Sequence, residues 1–136
     1  MQKVNRYFLA QFLEPWIGLA DDDDAYERYV HIDSNDEVQI KALAQAELRP
    51  VFSSKPIVFQ EAAKRSLAYY LSTEVIDLDR VLGSCLLPIE LPIDPKEFYE
   101  WIWEAFFPDE SYHIPNPEDY VENPDIYEPT RLSSKK

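Results

Sequence analysis

Apolar residues recur at helical spacing along most of this chain, and prolines cut the pattern into segments. Val4, Tyr7, Phe8 and Phe12 predict a first helix over Val4 to Leu13, ended by Pro15. A second helix starts at the Asp21–Asp24 run and carries Tyr26, Tyr29 and Val30. Ser34 followed three residues later by Glu37 has the form of a capping box. The third helix it opens runs through Val38, Ala42, Leu43 and Ala46 until Pro50 stops it. In a fourth, after Ser54 and Pro56, Phe59, Ala63, Leu67 and Tyr70 share one face, with Ala62 and Leu71 beside them. Glu61, Lys64 and Arg65 lie off that face. A short fifth helix is expected from about Glu74 to Leu82, ending near Gly83.

The stretch Leu86-Leu87-Pro88-Ile89-Glu90-Leu91-Pro92-Ile93 forbids a helix and predicts an extended connector lying on apolar surface. The sixth helix is the best defined: Asp94 is its N-cap, Pro95 its first residue and Glu97 its third. Phe98, Trp101, Ile102, Ala105 and Phe106 form its apolar stripe, Glu97, Glu100 and Glu104 the opposite edge, and Pro108 closes it. Tyr99, Trp103 and Phe107 widen the apolar face, to be covered by the connector or the tail, or else left as an exposed anchor set. Four of the eleven prolines fall between Pro115 and Pro129. There Asn116-Pro117-Glu118-Asp119-Tyr120 is echoed by Asn123-Pro124-Asp125-Ile126-Tyr127, each Asn-Pro opening a turn. No strand pattern of comparable strength occurs. The expected architecture is mainly α: a compact bundle of about five or six helices over 1–108, with a Pro-rich, acidic, extended C-terminal arm, 109–136, packed on the same domain.

A chain of 136 residues is the size of one domain and hides about two-thirds of its unfolded surface. At 46% hydrophobic residues it folds. Only Gly18 and Gly83 are glycines, which argues against a nucleotide-binding α/β fold and a β-sandwich. The balance of 13 basic and 26 acidic residues, net −13, repels phosphates and attracts a cationic protein. Nucleic acid and anionic membranes are therefore not expected as direct partners. The negative charge is concentrated: eleven acids and one base, Lys96, lie between Asp94 and Glu128. Cys85, the single cysteine, excludes an intramolecular disulfide and sits in an apolar setting that suits an inert thiol. The N-terminal Met1–Arg6 and the polar, proline-broken segment after it are too short and polar for a signal peptide or membrane span, so a cytoplasmic protein is expected.

Candidate chemistry is sparse. Counted from Asp21, the sixth residue is Tyr26 and the twelfth Ile32, where a calcium loop needs glycine and glutamate. Helix initiation explains one or two of the four aspartates. Neither His31 nor His113 belongs to a ligand set, and no nucleophile elbow or phosphate loop occurs. The expectation is no catalytic residues, no metal, no cofactor and no enzymatic activity. Two contact patches are read instead: Asp21, Asp22, Asp23, Asp24 and Glu27, and in the tail Glu118, Asp119, Tyr120, Asp125 and Tyr127. Carboxylates would meet lysines and arginines, and tyrosines would supply buried area at low entropy cost.

The order Tyr7-Phe8, Trp16, Asp21-Asp22-Asp23-Asp24-Ala25, Tyr29, Glu37, Leu43 and Glu47-Leu48 resembles the small helical immunity proteins of bacterial contact-dependent growth inhibition systems. The likeness covers about the first third of the chain and is one of residue types. In that family an aromatic-rich first helix leads through an acidic turn into two further short helices. The resemblance implies a protein that binds one cognate toxin and blocks it. Such toxins are commonly nucleases, which must themselves be basic to hold phosphate. The contact residues above come from the chain's own charge pattern, since the family fixes none of them. The alternative is an acidic DNA mimic or adaptor that binds basic nucleic-acid-handling proteins.

Overall fold

The computed structural model describes residues 1–134. In chain order the elements are β1 (Gln2–Val4), α1 (Asp23–Tyr29), α2 (Glu37–Leu43), α3 (Arg49–Ser53), α4 (Ile57–Thr73), α5 (Leu78–Gly83), α6 (Pro95–Phe106), β2 (Tyr120–Glu122) and α7 (Glu128–Ser133). The protein is mainly α, as the apolar spacing predicts.

α6 forms the centre. Asp94 caps it by accepting from the Glu97 N–H at 3.1 Å, and Phe98, Tyr99, Trp101, Ile102, Trp103, Ala105 and Phe106 are all buried. Around it pack α2, α4 and α5. Phe12 and Phe52 stack at 5.0 Å, and Phe106 meets their edges at 5.3 and 5.2 Å. Such pairs add about 0.5–1.5 kcal/mol each beyond the area they bury. Phe59, Ala63, Leu67 and Tyr70 of α4 are fully buried, with Phe59 against Phe8 at 5.4 Å. The widened face of α6 is covered from within. Tyr99 Oη donates to the Leu9 carbonyl (2.9 Å), and Trp103 Nε1 donates to the Glu110 carbonyl (2.7 Å). Lys64 lies over Phe107 at 4.9 Å. The exposed anchor set is thereby excluded.

Several expectations are corrected. The first segment is no α-helix: β1 is followed by 3₁₀ segments Arg6–Phe8 and Ala10–Trp16, with a kink at Leu13. Asn5 caps the first turn by accepting from the Tyr7 N–H, and Pro15 lies inside the second segment instead of ending it. Phe8, Leu9, Phe12, Leu13 and Trp16 are buried while Tyr7 is exposed. For α2 the cap is Asp36, which accepts from Val38 and Gln39 N–H, and Ser34 is buried without a hydrogen-bond partner. The buried stripe is Ile40, Ala44 and Leu48, so Val38, Ala42 and Ala46 are exposed. Pro50 does not stop this helix. A π segment, Ala44–Leu48, carries α2 into α3, and there the Arg49 N–H bonds the Ala44 carbonyl. This looser turn lets a proline ring, which has no N–H to give, follow directly. α5 begins only at Leu78, capped by Asp77.

The tail is not one extended arm. A 3₁₀ turn, Pro117–Asp119, leads into β2, which pairs in parallel with β1 in the register Gln2–Tyr120, Lys3–Val121 and Val4–Glu122. α7 then packs on α4. Strands of three residues carry too little alternation to be read from sequence. Asn5, fully buried, joins the two ends. Its N–H donates to Ser66 Oγ (3.0 Å), and its Nδ2 donates to the Asp125 carbonyl (2.8 Å) and Glu128 Oε1 (3.0 Å). The connector follows its predicted path: Cys85, Leu87 and Ile89 turn inward, and Leu86, Leu91 and Ile93 are exposed.

Candidate protein-binding surface

α1 is short and is held from beneath. Ala25 and Tyr29 are its buried residues. The Tyr29 ring meets the edge of Trp16 at 6.0 Å, and both side chains donate to the Glu47 carboxylate, Trp16 Nε1 at 3.1 Å. Burial, then this hydrogen bond, raises the Tyr29 phenol above its ordinary pKa. The approach to α1 is fixed by Gly18, whose N–H donates to the Cys85 carbonyl (2.9 Å) and whose φ of +80° favours glycine. Ala20 N–H donates to the Leu86 carbonyl (3.0 Å), so the acidic run leaves from a segment hydrogen-bonded to the connector.

Within that frame Asp22 is the N-cap, its Oδ1 accepting from the Ala25 N–H at 2.9 Å. Asp21, Asp23, Asp24 and Glu27 are exposed, as is Asp22 itself. Among the described residues none of these five joins an ion pair, although Glu14, Glu37, Glu74, Glu104, Glu110, Glu122 and Asp125 all do. Arg28, the nearest base in sequence, lies 5.0 Å above the Tyr29 ring instead. Beside the run a groove of about 400 Å³ lies between the end of α1 and the connector, lined by Tyr26, Val30, His31 and Ile89, with Asp33 and Glu90. Tyr26 is 61% exposed.

The tail residues divide. Glu118 and Asp119 are exposed on the 3₁₀ turn and join no ion pair among the described residues. Tyr120 is half-buried, its ring 5.6 Å from Tyr69. Asp125 is used internally: it pairs with Arg131, accepts from the Tyr127 N–H (2.9 Å) and stays below the ordinary carboxylate range because of both. Tyr127 is 69% exposed. No hydrogen bond or ion pair joins the tail set to the α1 set among the described residues. Both Asn-Pro units do form turns, Asn116 through its carbonyl to the Asp119 N–H and Asn123 through its side chain to the Asp125 N–H.

Comparison with known proteins finds no matching family model, curated sequence or solved structure.

Among the described residues, no group of three or more His, Cys, Asp or Glu side chains is arranged to hold a metal, and no helix is long and apolar enough to cross a membrane. The Cys85 thiol is buried, donates to the Val81 carbonyl (3.2 Å) and is pushed up by that burial, away from the thiolate that reacts. Periodicity did not reveal the groove beside α1. It brings Tyr26 and Val30 together with Ile89 and Glu90, some sixty residues later; the expected stripe Tyr26, Tyr29 and Val30 is corrected, since Ala25 and Tyr29 are buried while Tyr26 and Val30 are exposed.

Proposed function

We propose that this protein is an immunity protein that binds and neutralises one cognate bacterial toxin with a basic surface, such as a nuclease domain. The observation that carries the reading is the exposed carboxylate run that leads into α1, none of whose members joins an ion pair among the described residues. It is seated on a buried tyrosine and tryptophan and adjoins a groove with aromatic and apolar walls. Rim charge accelerates encounter with a cationic partner, and a desolvated aromatic contact holds it. Glu118, Asp119, Tyr120, Asp125 and Tyr127 are the second contact region of this reading, with Asp125 already paired to Arg131. The order of residue types in the first third supports this reading, although β1 and two 3₁₀ segments stand where that family has its aromatic-rich first helix.

The test is co-expression with the product of the adjacent gene, followed by co-purification and association kinetics across a salt series. The combined variant Asp21→Asn, Asp23→Asn, Asp24→Asn and Glu27→Gln leaves the Asp22 cap in place. Association should slow about tenfold at low salt and lose much of its salt dependence, while dissociation changes little. Unchanged association would reduce the run to helix initiation. Binding to unrelated DNA-binding proteins, competed by duplex DNA, would favour the DNA-mimic alternative.

A further inference from the structure

A cavity of about 320 Å³ opens between the 3₁₀ turns that follow β1 and the start of α5. It lies at the small end of the roughly 300–1,000 Å³ range of small-molecule sites. Its uncharged walls are Ala10, Ile76 and Val81 together with Tyr7 and Ser84, and its charged groups are Arg6, Arg80 and Asp77. Arg6 is already matched: its Nη2 donates to Glu122 Oε1 at 3.0 Å. Arg80 and Asp77 stand three residues apart, yet no ion pair joins them, and neither enters another ion pair among the described residues. Asp77 uses Oδ1 to accept from the Asp79 and Arg80 N–H groups (3.0 and 3.3 Å), which leaves Oδ2 open.

We propose that this cavity binds a free α-amino acid with an apolar side chain. Arg80 takes the carboxylate, Asp77 Oδ2 takes the ammonium group, and Ala10, Ile76 and Val81 receive the side chain. Two opposite charges that share a cavity without pairing suit a ligand carrying both charges. A zwitterion also has no net charge to be repelled by a chain of net −13, whereas a simple carboxylate does. This site is separate from the α1 surface and does not depend on the toxin-binding reading.

The experiment is a two-dimensional amide NMR titration of the full chain with L-leucine, 4-methylpentanoate and isoamylamine, which carry both charges, the carboxylate alone and the amine alone. L-Leucine should give saturable shifts confined to amides near Arg6–Ala10 and Ile76–Ser84. Each single-charge probe should bind at least about tenfold more weakly, as expected for losing one charged hydrogen bond. Arg80→Gln should lower L-leucine affinity by about tenfold or more, and Asp77→Asn, which keeps the helix cap, should do the same. Far-ultraviolet circular dichroism checks that both variants stay folded. The proposal fails if L-leucine gives no saturable shifts at these amides, if 4-methylpentanoate or isoamylamine binds as tightly, or if Arg80→Gln or Asp77→Asn leaves affinity unchanged.

Discussion

Replacing Asn5 with alanine tests how the two ends of the chain are locked together. The side chain makes three hydrogen bonds: Nδ2 to the Asp125 carbonyl (2.8 Å) and Glu128 Oε1 (3.0 Å), and Oδ1 from the Tyr7 N–H (2.9 Å). Asn5 is fully buried, so water does not take over its role in the wild type. At about 1 kcal/mol net per bond the loss is about 3 kcal/mol, less whatever Asp125 and Glu128 recover from solvent once the tail loosens. With a urea slope of about 2 kcal/mol/M, the unfolding midpoint should drop by about 1–1.5 M. Trp16, Trp101 and Trp103 are all buried, so tryptophan fluorescence reports the global transition. Limited proteolysis should show cleavage between β2 and α7 rising before cleavage of the body. A midpoint shift below about 0.25 M would refute the inference that this asparagine holds the tail.

Two other outcomes are expected. Asp22→Ala removes the α1 cap and should cost about 0.5–2 kcal/mol in thermal unfolding, whereas Asp23→Ala should cost less; equal losses would mean that Asp22 does not cap. Glu122 accepts from Tyr70 Oη (2.6 Å) and Arg6, which hold it below the ordinary carboxylate pKa of 4.5. Its stabilisation is therefore complete above about pH 4.5 and is lost as the pH falls through the depressed folded value. Urea midpoints of wild type and Glu122→Gln should differ at neutral pH and converge once the pH falls below the depressed folded value, and a constant gap would contradict this.

The helices that read most clearly from sequence carry their own signals. α6 has a cap, a first-turn proline and a stripe within twelve residues, and α4 repeats one apolar face over seventeen. Those signals act over three or four positions, which is the reach of a side chain along one helix. In the α2 region the apolar spacing predicts a stripe of Val38, Ala42, Leu43 and Ala46, whereas the buried stripe is Ile40, Ala44 and Leu48. Packing against α6 chose the second, with Lys41 reaching Glu104 at 2.5 Å.

Sequence by itself determined the helical class, the central helix and the exposure of the α1 carboxylates, since four consecutive charges cannot be buried unpaired. Tertiary structure decided the rest. It joined β1 to β2 and Asn5 to Asp125 across the length of the chain, committed Asp125 to Arg131, and set Arg6 and Arg80 around one cavity. Such pairings depend on which distant segments the collapsed core brings together, and no residue records its distant partner in its own neighbourhood.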